Sequence, residues 1–158
     1  MTKAGQDHAG IRVPPPLIFL GLVLIGPLLD HLLGIAPLRI ARPVQVVLTL
    51  ALVAAGLAVV LAAIRRFQSA GTRVEPWAPS SAIVSAGIYR FSRNPMYLGM
   101  VLVMLGLALI IANPASLAMV GVATLVVDRF VIRREEAYLE RKFGGEYQAY
   151  RRRVRRWL

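Results

Sequence analysis

Val44-Gln-Val-Val-Leu-Thr-Leu-Ala-Leu-Val-Ala-Ala-Gly-Leu-Ala-Val-Val-Leu-Ala-Ala-Ile64 carries no charge, and Arg65-Arg66 follows it directly. A run of this length closed by a basic pair reads as a transmembrane helix, which satisfies its own backbone and shows lipid only apolar side chains. The rest of the chain repeats the pattern. Of the 158 residues, 57% are hydrophobic, and the mean hydropathy is +0.61. A soluble domain this small cannot hide that much apolar surface. The apolar residues form long blocks between short arginine-rich stretches, which argues against a soluble nucleic-acid binder despite the net charge of +11. There is no cysteine, hence no disulfide, no thiolate nucleophile and no cysteine zinc site. With two histidines remaining, no metal centre is expected. The chain reads as a single all-α membrane domain over residues 1–158.

Working outward, Pro14-Pro15-Pro16 is a stiff lead-in to a helix. No short apolar region with a small-residue cleavage site occurs there, so no signal peptide is expected. Leu17–Leu33 is the first span, interrupted by Pro27 and reaching roughly 25 Å. Val44–Ile64 is the second and Tyr97–Ala112 the third. Asn113-Pro114 marks a turn, and Pro114–Ile132 is a fourth span that continues as a charged helix. The third and fourth spans therefore form a tight hairpin. Its small residues Gly99, Gly106, Ala108, Ala112, Ala115, Ala118, Gly121 and Ala123 either bring the two helices close or leave a lateral slot between them.

Basic residues set the orientation. Lys3 and Arg12 precede the first span, and Arg39 and Arg42 lie in the first loop. Arg65, Arg66, Arg73, Arg90 and Arg93 lie in the second loop, and nine lysines and arginines follow Ile132. With both termini cytoplasmic, sixteen basic residues lie inside and two outside, with Arg129 within the fourth span. The run Arg151-Arg152-Arg153 with Arg155 and Arg156 is expected to meet anionic headgroups, each cation contributing about 1 kcal/mol near the surface. Trp157 suits the interface, and no nucleic-acid partner is expected.

Two segments carry more than punctuation. Ser81-Ala-Ile-Val-Ser-Ala-Gly-Ile-Tyr-Arg-Phe-Ser-Arg-Asn-Pro-Met-Tyr-Leu-Gly99 runs straight into the third span. Arg133-Arg-Glu-Glu-Ala-Tyr-Leu-Glu-Arg-Lys-Phe-Gly-Gly-Glu-Tyr-Gln-Ala-Tyr150 extends the fourth. The hairpin brings both to one membrane face, with Glu135 and Glu136 opposite Arg93 and Asn94. Carboxylates beside guanidinium groups and aromatics at a lipid boundary suit a zwitterionic or cationic ligand. The residues alone equally allow that Glu135 and Glu136 balance nearby arginines on a solvated helix. Tyr89 and Tyr97 equally suit an interfacial belt. Asp128 beside Arg129 reads as a local ion pair, and Asp30 and His31 receive no function.

Taken together, the motif Ser85–Gly99, the hydrophobic hairpin, and Glu135-Glu136 followed by Leu139, Phe143-Gly144, Tyr147 and Tyr150 resemble the isoprenylcysteine carboxyl methyltransferase and phospholipid methyltransferase superfamily. The resemblance covers about residues 81–154. It implies an integral membrane enzyme that uses S-adenosylmethionine, leaves S-adenosylhomocysteine, and methylates a lipid or other lipophilic acceptor at the cytoplasmic face. Carried over by motif, the cofactor-binding residues are Ser81, Ala82, Ile83, Val84, Tyr89, Asn94, Pro95, Met96, Tyr97, Glu135 and Glu136. The candidate catalytic residues are Glu135, Arg93 and Asn94. Asn94 stands where the motif has histidine, and its amide can donate and accept hydrogen bonds but cannot act as a base near neutral pH. Val131 stands where the eukaryotic carboxyl methyltransferases have a substrate-contacting arginine.

A small membrane transporter or structural protein with a lipid-binding tail is the competing reading. Transport favours charged groups at mid-bilayer, and Val44–Ile64 and Leu98–Ala112 hold none. The soluble route to methyl transfer is excluded, since no strand leads into Gly-x-Gly-x-x-Gly. The charge asymmetry predicts that single cysteines at Ala36 and Gln148 label from opposite sides of the membrane; labelling from the same side would reject the topology.

Overall fold

Proline opens each of four apolar helices, where its missing N–H would have had no intrahelical partner. The structure is a computed structural model describing residues 8–11, 13–75 and 77–158. Lys3 and Arg12, counted above for orientation, lie outside them. Helices α1 (Pro15–Leu33), α2 (Arg42–Ser69), α3 (Pro95–Ile111) and α4 (Pro114–Val127) form the apolar body. A π-helical turn over Asp128–Ile132 joins α4 without a break to α5 (Arg133–Phe143), and α6 (Gly145–Arg153) follows. No strand occurs among the described residues. Among the described residues, three helices are long and apolar enough to cross a membrane, namely α1, α2 and the continuous Pro114–Phe143, whose apolar stretch ends at Ile132. The shorter apolar α3 completes the expected four. The chain is an all-helical integral membrane protein.

Packing is pairwise, α2 along α3 and α1 along α4, with the α3–α4 hairpin joining the pairs. Lipid is as apolar as leucine, so close approach and polar contacts hold such helices together. In the α2–α3 seam, a Cβ on Gly56 would stand 2.6 Å from the Gly99 carbonyl oxygen, and one on Gly106 2.8 Å from Val53 Cγ2. Gln45 Nε2 donates to the Leu109 carbonyl at 2.7 Å and Thr49 Oγ1 to that of Gly106 at 3.3 Å. The polar residues inside the second span thus serve the neighbouring backbone. Gly99 and Gly106 therefore face α2 rather than lining a slot in the hairpin, and Gly121 faces open space.

Two further expectations are revised by local chemistry. Pro27 does not interrupt α1. Proline frees the carbonyl four residues back, here that of Val23, and Ser116 Oγ on α4 donates to it at 3.1 Å. Arg65-Arg66 does not stop α2, which runs on to Ser69 and carries Phe67 out to the motif loop. Asp30, given no function from sequence, is buried at the far end of the body. It accepts from Asn113 Nδ2 at 2.8 Å and from the Ala115 amide at 3.1 Å, capping α4 across the helix pair.

The π turn has the largest consequence for the site. It inserts one residue into the turn, so every later side chain is rotated by about 100° from an uninterrupted α-helix. Gly144, at φ 52° and ψ −121°, then turns the chain back into α6, in a region that side chains rarely adopt. The α2–α3 seam predicts that Gly106→Leu lowers stability by about 1–3 kcal/mol through overpacking. Gly121→Leu should be near neutral in the same thermal unfolding measurement.

Candidate functional site

The loop after α2 is anchored by its own short side chains. The Ser81 amide donates to Thr72 Oγ1 at 2.9 Å, and Ser81 Oγ to the Gly71 carbonyl at 2.9 Å. The Ser80 amide reaches the Tyr138 hydroxyl on α5 at 3.1 Å. Residues 82–86 form no regular element. Gly87 opens a 3-10 turn, Gly87–Arg90, that buries Tyr89 against Phe67 of α2 with ring centroids 5.5 Å apart. Tyr150 of α6 donates its hydroxyl to the Tyr89 carbonyl at 2.8 Å. Loop, α2, α5 and α6 thereby enclose a cavity of about 350 Å³ at the mouth of the hairpin, within the range of small-molecule sites.

The two glutamates have different surroundings. Glu136 is buried and lies 3.0 Å from Arg93 Nη1. It also accepts two bonds from the tail, Arg156 Nε at 3.1 Å and Arg156 Nη2 at 2.6 Å. Glu135 faces the cavity and accepts one bond from the Tyr97 hydroxyl at 2.6 Å. It stands in the charged run Arg133-Arg134-Glu135-Glu136 of its helix, past the apolar residues that end at Ile132. Burial pushes its pKa up to about 7; the Tyr97 bond pulls down, and the Glu136 charge adds to the rise. Burial likewise pushes the Tyr89 hydroxyl well above its ordinary range.

The residues singled out from sequence are mostly brought together. Ala82, Ile83, Val84, Tyr89, Arg93, Asn94, Met96, Tyr97, Glu135 and Glu136 line the cavity. Ser81 and Pro95 do not; one holds the loop to the end of α2, and the other is buried at the start of α3. Asn94 presents its edge, but its amide Nδ2 donates to the Arg156 carbonyl at 3.0 Å. That bond suits the amide as it would a histidine N–H. Val131 is buried in the helix-packing core and away from the cavity wall.

Sequence reasoning missed several wall residues. Phe67 depends on the continuation of α2, while Trp77, Met100 and Tyr138 also line the cavity, as do Tyr147 and Tyr150, quoted above in the motif but given no site role. The spacing of Tyr147 and Tyr150 on one helix face was the available signal. The tail is more tightly held than expected. Arg156 bridges Glu136 and Asp128, and Trp157 Nε1 donates to Asp128 Oδ1 at 3.2 Å. The Asp128 ion pairs are thus with Arg156 and, at 3.8 Å, Arg133, in place of the expected Arg129 pair.

Two buried polar atoms, Tyr89 Oη and Arg93 Nε, have no hydrogen-bond partner among the described residues. Each belongs to a cavity-lining residue, and buried groups of this kind are rarely left unmet without a ligand or water. Such a wall combines a carboxylate, a guanidinium, a phenol and aromatic rings, a set that receives a molecule carrying both charges and an apolar or cationic portion. Among the described residues, no cluster of three His, Asp or Glu side chains could hold a metal ion.

Residues 44–146 match the family model described as phospholipid methyltransferase. A Haemophilus influenzae protein described only as uncharacterized is 51% identical over 65 residues, 40% of this chain and 100% of its own length. The protein-S-isoprenylcysteine O-methyltransferase of Saccharomyces cerevisiae is 37% identical over 75 residues, 46% of this chain and 30% of its own. Protein-S-isoprenylcysteine O-methyltransferase B of Arabidopsis thaliana is 36% identical over 75 residues, 46% of this chain and 36% of its own. The chain spans about a third of the length of these two methyltransferases. No solved structure matches.

The environment of Glu135 yields a pH prediction. Its folded pKa lies above the ordinary carboxyl value, so its contribution to stability is fully present below about 4.5 and lost as the pH rises through about 7. Glu135→Gln should therefore flatten the decline in thermal stability between about pH 5 and pH 8. An unchanged pH profile would mean that Glu135 ionises in the fold without penalty.

Proposed function

From its membership of the phospholipid methyltransferase family, we propose that this chain is an integral membrane methyltransferase that passes a methyl group from S-adenosylmethionine to a lipid or other lipophilic acceptor. The observation that carries the reading is a pair of buried polar atoms without a partner among the described residues, Tyr89 Oη and Arg93 Nε, on residues that line one cavity together with Glu135. They fit the polar end of the donor, which carries a carboxylate and an ammonium group. The aromatic rings of Phe67, Tyr89 and Trp77 suit its adenine and its sulfonium. When bound, S-adenosylmethionine supplies an already activated methyl electrophile.

The chain's own residues then have three tasks. Ionised Glu135 attracts positive charge, and with a pKa near 7 it can accept a proton from an amine acceptor at neutral pH. A carboxylate acceptor needs no base, and alignment alone supplies much of the acceleration. Arg93 is held by Glu136 and by the Tyr147 hydroxyl at 3.4 Å, so it presents Nε from a fixed position. Asn94 ties the loop to the tail.

The acceptor side follows from position. Met96 and Met100 lie at the start of α3, and Pro14–Pro16 precede and open α1; all line the same cavity where the helices enter the apolar body. A lipophilic acceptor enters there from the bilayer, while the donor's polar end is reached from the aqueous side. With both termini cytoplasmic, that side is the cytoplasm, and the exposed Arg152, Arg153 and Arg155 face anionic headgroups.

Purified full-length protein given methyl-labelled S-adenosylmethionine and extracted membrane lipids should transfer label to the organic phase. Glu135→Gln should slow an amine-directed reaction by about tenfold or more. Label appearing equally on water-soluble acceptors without a hydrophobic tail would contradict the proposal.

A further inference from the structure

We propose that the C-terminal tail braces the donor-binding site from outside the cavity, with Arg156 as a positioning residue that engages Glu136 and leaves Glu135 for the ligand. The inference rests on the reading of the cavity given above.

The tail is bound at several points to the segment that forms the site. The Arg93 amide donates to the Arg155 carbonyl at 3.0 Å. Ser92 Oγ and Asn94 Nδ2 both donate to the Arg156 carbonyl, at 3.2 and 3.0 Å. The Arg156 side chain grips both oxygens of Glu136 and reaches Asp128 Oδ2 at 3.3 Å. A basic tail serving only lipid headgroups would leave its guanidinium groups in solvent. Arg156 is instead the least exposed of the tail arginines.

The arrangement divides the labour of two adjacent carboxylates. Glu136 is buried, and two guanidinium groups balance it with good geometry. Without Arg156, Glu136 would depend on Arg93 alone. Arg93 would then be drawn to serve both carboxylate oxygens, moving the Nε that the ligand is to meet. The excess negative charge would also stand beside Glu135 and compete for any cation entering the cavity. Arg156 touches neither the cavity nor the reacting atoms, so its influence passes through Glu136, Arg93 and Asn94.

The test uses the full chain in lipid nanodiscs and calorimetric titration with S-adenosylhomocysteine. Arg156→Gln should weaken binding about tenfold or more, as expected for loss of a two-point charged contact that orders a site. Arg156→Lys should recover part of that loss. Arg151→Gln removes a surface pair with Glu140 and should leave affinity unchanged within about twofold. If Arg156→Gln does not fold, Asp128→Asn releases the tail's second anchor and spares Glu136, and should weaken binding about threefold. Wild-type affinity in every folded variant of Arg156 and Asp128, or an equal loss in Arg151→Gln, would overturn the proposal. A wild-type chain that binds no S-adenosylhomocysteine would overturn the reading of the cavity, and the tail's role with it.

Discussion

A buried carboxylate between two guanidinium groups holds the site together. Glu136 on α5 meets Arg93 from the motif loop and Arg156 from the tail, so three segments distant in sequence converge on one side chain. Burying a charge costs several kcal/mol unless partners surround it, and removing one partner of such a group is far more disruptive than removing a surface pair. The cavity, the fixed position of Arg93 and the freedom of Glu135 all depend on that arrangement. Glu135, one residue earlier, is met among the described residues by the Tyr97 phenol alone, with no cation beside it.

The helical body serves this end from below. Its helices cannot rely on the hydrophobic effect against one another in lipid, and they use close backbone approach and carbonyl-directed side chains instead. Gly56, Gly99 and Gly106 bring α2 against α3, while Gln45 and Thr49 occupy carbonyls of α3. Ser116 takes the carbonyl that Pro27 frees, and Asp30 caps α4. The hairpin is thereby fixed at its far end, and its mouth is where Tyr97 and Glu135 meet.

The four apolar helices and the hairpin were legible from residue pattern, because apolar blocks and turn signals are local properties, and the motifs named ten of the residues that line the cavity. What escaped depends on tertiary partners. Arg65-Arg66 reads as a stop only if the helix ends at the membrane, and α2 instead continues to pack Phe67 on Tyr89. Pro27 reads as a break unless the Ser116 hydroxyl is known to stand opposite Val23. No periodicity announces the π turn at Asp128–Ile132, which re-aims the helix before the glutamates. Arg156 looked like one of five equivalent tail cations, and only the fold distinguishes the one that turns inward. Asn94, read as a lost base, keeps the donor that the tail carbonyl requires.

The most direct measurement is an experimentally determined structure of the full chain with S-adenosylhomocysteine. The account predicts ligand density between the motif loop and α5, with Tyr89 Oη or Arg93 Nε bonded to its polar end and Glu136 still held by Arg93 and Arg156. Ligand bound elsewhere, with this cavity empty and both atoms still unpartnered, would contradict it.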